Sequence, residues 1–169
     1  NVTNLSNGIL NLERTSRYIS LEEFNKMYRH FEIAENDIVV ASSGNSYAKV
    51  AVVRKQDLPL LMNTSVIRFQ PLKNLDYNYL LVFLNSPMFK DQIDLMITGG
   101  AQLNFGPAHL KRVTIELPDS IEEQMKISST LMNIQQEIEI IEYKLHKTKQ
   151  LKQGIMQQLL TGKIRLIET

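Results

Sequence analysis

Ser43, Asn45, Ser46, Tyr47 and Lys49 stand within seven residues of one another, between two β-branched runs. Hydroxyl, amide, phenol and ammonium groups held on a loop between strands are groups that bond base edges and phosphates. Gln102 and Asn104 form a second polar set inside the Gly-rich stretch 98–107. An amide side chain can bond adenine through two hydrogen bonds at once. Lys111 and Arg112 follow closely and suit phosphate oxygens. Gly44-Asn45-Ser46 and Gly99-Gly100 are also ordinary turn chemistry, so a purely structural reading stays open for each of these residues.

Other chemistries lack their residues. His30, His109 and His146 are far apart in sequence, and none has metal-ligand spacing. The chain has no cysteine, which removes disulfides and thiolate metal sites and fits a reducing compartment. No serine lies in a nucleophile elbow. Gly162-Lys163 resembles the end of a phosphate-binding loop but lacks the upstream glycine and the following Ser or Thr. Glu142-Tyr143-Lys144 has a nuclease-like acid-x-Lys spacing, yet it falls within a helical repeat and reads as a solvated face. The expectation is a protein without catalytic residues, metal or cofactor. Net charge is +1, so any basic surface must be local. No apolar run reaches the roughly 18 residues of a membrane span, and no signal-peptide pattern opens the chain.

The elements that must hold the polar loops are short and mixed. Runs 37–41 and 50–54 predict two strands joined by the 42–49 loop, and 64–69 predicts a third. Apolar spacing over 21–28, with Ser20 and Glu23 as a capping box, predicts a helix. Short helices are expected over 77–84 and 88–96, separated by Ser86-Pro87, and a strand over 112–118. Bases and acids nearly cancel in residues 1–118, 12 against 11. The opening Asn1-Val2-Thr3-Asn4-Leu5 has no cap or turn before it, so the chain is expected to begin part-way into its domain.

The last third predicts one long helix. Ser120 and Glu123 can cap its start. Ile127, Leu131, Ile134, Ile138, Ile141 and Leu145 recur in steps of three and four, the rhythm of a coiled-coil seam, which slips at Thr148 and resumes at Leu151, Ile155 and Leu159. Gly162 is the expected stop. About 40 residues make a rod of roughly 60 Å, too long for one small domain to cover. Acids fill its first half and bases its second. Helix-dipole complementarity fades within about one turn, whereas this asymmetry runs for several, as an antiparallel partner with the same asymmetry would require. Residues 163–167 alternate like a short terminal strand.

Asp37-Ile38-Val39-Val40, Ser43-Gly44-Asn45-Ser46 and Ala48-Lys49-Val50 follow a pattern of strand, Ser/Gly loop, lysine, strand. Gly100-Ala101-Gln102-Leu103-Asn104 leads through Leu110-Lys111 to Ile115-Glu116-Leu117-Pro118 and Glu123-Gln124-Met125-Lys126-Ile127. The chain closes with Leu159-Leu160-Thr161-Gly162-Lys163-Ile164 after the helix. Together these resemble the DNA-specificity subunit of type I restriction-modification systems, over most of the chain. The resemblance implies an α+β fold: a mixed target-recognition domain (1–118), then a spacer and dimerisation helix with a short terminal strand (119–169). It implies recognition of one half of a bipartite target in double-stranded DNA. It also implies that the subunit anchors methyltransferase subunits, and through them restriction subunits, in a prokaryotic cytoplasm, with no active site of its own. Such a subunit carries two recognition units with their helices antiparallel, so this chain reads as a fragment or as a half-subunit that pairs with itself. On these terms Ser43, Asn45, Ser46, Tyr47, Lys49, Gln102, Asn104, Lys111 and Arg112 are the expected DNA contacts. Leu131, Ile134, Ile138, Ile141, Leu145 and Leu151 are the expected helix-pairing residues. Two other readings remain: a coiled-coil assembly module whose head binds protein, and a recognition piece of a fused nuclease-methyltransferase.

Overall fold

The computed structural model describes residues 2–6, 8–15, 17–97 and 103–167. The expected loop residues Thr98, Gly99, Gly100, Ala101 and Gln102 lie outside them. In chain order the strands are β1 (Leu5–Ser6), β2 (Ile9–Leu10), β3 (Glu32–Ile33), β4 (Ile38–Ala41), β5 (Val50–Val52), β6 (Leu60–Leu61) and β7 (Val66–Phe69). The α-helices are α1 (Leu21–Glu23), α2 (Tyr77–Asn85), α3 (Pro87–Ile97), α4 (Pro107–Leu110) and α5 (Ile121–Leu160). The architecture is α+β, with small antiparallel sheets and one long C-terminal helix. The chain divides into two compact units, Asn1–Lys126 and Ile127–Thr169.

The first unit is organised around β4, which is buried along its whole length. β4 is the centre of an antiparallel sheet ordered β5-β4-β7, with Val40 opposite both Val50 and Ile67. Successive side chains of a strand point to opposite faces, so β4 serves two cores. Val39 and Ala41 join Leu5, Leu10, Ile33 and Val66 on one side. Ile38 and Val40 join Leu80, Leu84, Phe89, Ile93 and Phe105 on the other, where α2 and α3 pack. Phe89 sits at the middle of the second core, edge-on to Phe69, Phe83 and Phe105.

The short ladders β1–β2 and β3–β6 have two residue pairs each, too little sequence to announce itself as a period. The helix expected over 21–28 starts as α1 with both bonds of the Ser20–Glu23 capping box formed, then widens into a π-helical stretch over Phe24–Tyr28 and a 3₁₀ turn over Arg29–Phe31.

Two expected strands are corrected. Residues 112–118 are irregular backbone with no ladder. Gln92 of α3 takes the place of a neighbouring strand. Its amide donates to the Thr114 carbonyl at 2.9 Å and accepts from the Thr114 N–H at 2.8 Å. Tyr79 donates its hydroxyl to the Glu116 carbonyl at 2.9 Å, and Gln124 donates to the Pro118 carbonyl at 3.3 Å. Residues 163–167 are bends and irregular backbone, with no strand pairing to stabilise their alternation.

The start and stop of α5 are those expected. Ser120 Oγ accepts from the Glu123 N–H. At the other end Gly162 adopts φ 71°, and its N–H returns to the Leu159 carbonyl. Only glycine takes that left-handed conformation without a Cβ penalty, so it ends the helix there.

Candidate nucleic-acid interface

The 42–49 loop is closed by backbone bonds at both ends. The Ala48 N–H donates to the Ala41 carbonyl at 2.8 Å, and the Ala41 N–H donates to Lys49 at 2.9 Å. Within it, a 3₁₀ turn over Gly44–Ser46 is entered by Gly44 at φ 69° and left through Ala48 at φ 61°. Both torsions are positive, the left-handed region that tight turns use.

The second polar stretch docks directly on the first. Phe105 donates its N–H to the Ser42 carbonyl at 2.9 Å, and Gly44 donates to the Leu103 carbonyl at 3.0 Å, making an antiparallel bridge between Ser43 and Asn104. Phe105 anchors the junction: its ring is 2% exposed and lies 6.2 Å from that of Phe89. Leu103 and Asn104 are left at the surface beside the turn. Two loops whose bridged residues, Ser43 and Asn104, are 61 apart in sequence are therefore one surface. That pairing has no sequence signal, because a single bridge is set by tertiary docking and not by a period.

Among the expected contacts, Asn45 and Lys49 are exposed and Ser43 and Ser46 half-buried; the side chains of all four, like that of Asn104, make no hydrogen bond among the described residues. Their polar groups face solvent unspent. Lys111 and Arg112 are exposed just past α4, whose Leu110, with Val113, packs on the Phe89 core. His109 Nδ1 accepts the Gly106 N–H at 3.1 Å and so fixes the start of α4. Gln102 lies outside the described residues.

Tyr47 differs from its neighbours. Its hydroxyl donates to Asp94 Oδ1 at 2.5 Å and accepts from Lys90 Nζ at 2.7 Å, while Lys90 Nζ also reaches Asp94 Oδ2 at 2.6 Å. The ammonium also lies 4.9 Å from the centre of the tyrosine ring. Lys90 and Asp94 are four residues apart on α3, so one helix face presents both. The hydrogen bond from Lys90, then that from Tyr47, holds the Asp94 carboxyl below the usual carboxylate range. Asp94, then Tyr47, pushes the Lys90 ammonium up. The tyrosine hydroxyl is thus spent inside the domain, where it ties the loop to α3. Sequence reasoning missed Lys90 and Asp94; their i, i+4 spacing was the available signal, but it is common on any solvated helix.

No three His, Asp or Glu side chains cluster as metal ligands among the described residues. No described helix is long and apolar enough to cross a membrane.

In the second unit, Leu131, Ile134, Ile138, Ile141, Leu145 and Leu151 are all exposed, with Ile141 and Leu151 each at 63%. A stripe of large apolar side chains open to water along a helix marks an interaction surface.

Comparison with known proteins places these features in a family. A family model described as the type I restriction modification DNA specificity domain matches residues 3–153. The chain is also similar to the specificity subunit of the type I restriction enzyme MjaVIII of Methanocaldococcus jannaschii, with 28% identity over 149 residues. That match covers 86% of this chain and 35% of the relative, so the chain spans about a third of the length of the curated relative it matches.

Proposed function

Because this chain belongs to the type I restriction modification DNA specificity family, we propose that it is a non-catalytic recognition unit that selects a sequence in double-stranded DNA. Residues 1–118 read one half of a bipartite target. Residues 119–169 supply the spacer and pairing helix. Through these parts the unit holds methyltransferase subunits, and through them restriction subunits, in a prokaryotic cytoplasm.

The observation that carries this reading is the bridge between Ser43 and Asn104. It unites two sets of unspent amide, hydroxyl and ammonium groups on one rigid support. Bases are read by such groups only when their positions are fixed in advance, since each misplaced polar group loses its hydrogen bond and keeps its desolvation cost. Asn45, Gln102 and Asn104 are the base-reading amides on this view. Lys49, Lys111 and Arg112 neutralise phosphates. The exposed apolar stripe of α5 supports an antiparallel partner helix, in the simplest case from a second copy of this chain.

A two-fold pair presents the same loops to both half-sites, so its preferred target is an inverted repeat with a fixed gap. The test is selection of binding sites from a random duplex pool, with the methyltransferase subunit added in a parallel arm. Recovery of a split inverted repeat supports the reading, and an unenriched pool in both arms overturns it. Deleting 131–137 removes one heptad, about 10 Å of helix, and keeps the seam in phase. It should shorten the gap by a few base pairs and leave the half-site bases unchanged.

A further inference from the structure

One depression lies away from the polar loops. It has a volume of about 730 Å³ and is walled by Arg29, His30, Lys55 and Arg68 over an apolar floor that includes Ile33 and Leu58. We propose that it is a second DNA contact, a seat for backbone phosphates separate from the base-reading loops. This inference rests on the DNA-binding reading above.

Three elements converge to build it. The π-helical stretch over Phe24–Tyr28 hands the chain to the 3₁₀ turn that carries Arg29 and His30. A second 3₁₀ turn, Lys55–Asp57, brings Lys55, and β7 brings Arg68. Their charges are in different states. Arg68 is oriented: it donates to the Glu32 carbonyl at 3.2 Å and meets the Asp37 carboxylate at 3.4 Å. That carboxylate is buried and also accepts from the Ala34 N–H and the Gln70 amide, so Arg68 has a charge partner and the free charge of the wall is that of Arg29 and Lys55. Arg54, next to Lys55, is consumed by Asp57 at 2.8 Å. Arg29 and Lys55 are exposed and have no carboxylate partner among the described residues. Glu32 is the one acid on the wall, against three bases.

Free bases spread over separate elements suit a line of charges better than one small anion. A duplex strand offers a phosphate about every 3.4 Å of axis. Arg68 is paired with Val39, four residues before Ser43 in the chain, at most about 13 Å away at 3.3 Å per residue. The floor of the depression belongs to the Val39 side of the sheet and Tyr47 to the Val40 side. The two sites are thus displaced along the strand and lie on opposite faces of the sheet.

The experiment measures binding of the full chain to its selected duplex and to a scrambled one across salt concentrations. The proteins are wild type, Arg29→Ala, Lys55→Ala and the double variant. Both residues are exposed, so thermal melting should match wild type, and this is checked first. The expected result is a loss of about 3- to 10-fold per substitution, equal on both duplexes, with the salt slope falling by about 0.9 per lost contact. Asn45→Ala should instead weaken the selected duplex alone. Unchanged affinity and slope in the double variant would overturn the phosphate seat while leaving the loops as readers. Failure of wild type to bind either duplex would overturn both readings. A parallel titration with tripolyphosphate covers a small-anion site: if the variants lose tripolyphosphate and keep both duplexes, the DNA assignment is wrong.

Discussion

Tyr47 contributes through where its hydroxyl is held. Lys90 and Asp94 fix the phenol, and the phenol fixes the turn that carries Asn45 and Ser46. Tyr47→Phe keeps the ring and its packing and removes only the tie. The expected outcome is about a fivefold loss on the selected duplex, none on a scrambled duplex, and little change in melting temperature, since the ion pair it joins is half-exposed and screened. Fluorescence anisotropy on both duplexes reads this directly, and an equal loss on both would mean that Tyr47 touches the backbone instead. Asp57 is the other residue whose charge matters. Its side chain is 2% exposed, and the Arg54 guanidinium holds its carboxyl below the usual range. A depressed folded pKa adds stability above the unfolded value near 4, and this is lost as pH falls through the folded value. Asp57→Asn should therefore cost about 1–3 kcal/mol at pH 7 by urea unfolding, toward the lower end because Arg54 is 38% exposed. The gap from wild type should close below pH 4.

At the scale of elements, the anchor of α5 is Gln124, which is 2% exposed. Its amide accepts from the Asp76 N–H at 2.9 Å and donates to the carbonyls of Asn74 and Pro118. Gln124→Ala strands three backbone groups. By calorimetry it should lower the melting temperature of the first unit by about 4–8 °C, corresponding to roughly 1–2 kcal/mol. A shift under 1 °C would mean that water replaces the amide at no cost. Gln124 and Gln92 also mark the limit of what the sequence discloses. Strands β4, β5 and β7 were legible as runs rich in β-branched residues and α5 as an apolar repeat in steps of three and four, and Ser20, Ser120 and Gly162 bounded helices by local chemistry. Residues 112–118 alternate like a strand, yet a glutamine 22 residues earlier supplies the partner bonds, and nothing local reveals that. The same holds for the candidate site. Its residues could be named from their types, but their junction through Phe105 and the engagement of Tyr47 depend on contacts between distant segments. Arg29 and Lys55 were passed over because scattered bases show no pattern until the fold gathers them.

For the molecule as a whole, the proposed antiparallel pairing would cover the open stripe on α5 with a second copy. The expected species is a dimer by light scattering at tens of micromolar, and Ile138→Asp with Ile141→Asp should leave a monomer of unchanged helicity in the first unit. A wild-type monomer at that concentration would remove the self-pairing arrangement. A different consequence follows from how residues 112–118 are held. A strand in a ladder shares its hydrogen bonds with neighbours on a cooperative sheet, so its amides exchange with solvent only when the sheet opens. The Thr114 amide depends on one half-buried glutamine, and a single rotamer change releases it. In deuterium oxide this stretch should label in advance of β4, α2 and α3, at a rate set by side-chain motion and nearly independent of urea at low concentration. β4, enclosed on both faces, should label last and track global unfolding. Gln92→Ala should accelerate labelling of 112–118 alone. The clock that governs this part of the chain is thus local, and it runs while the sheet beside it stays closed.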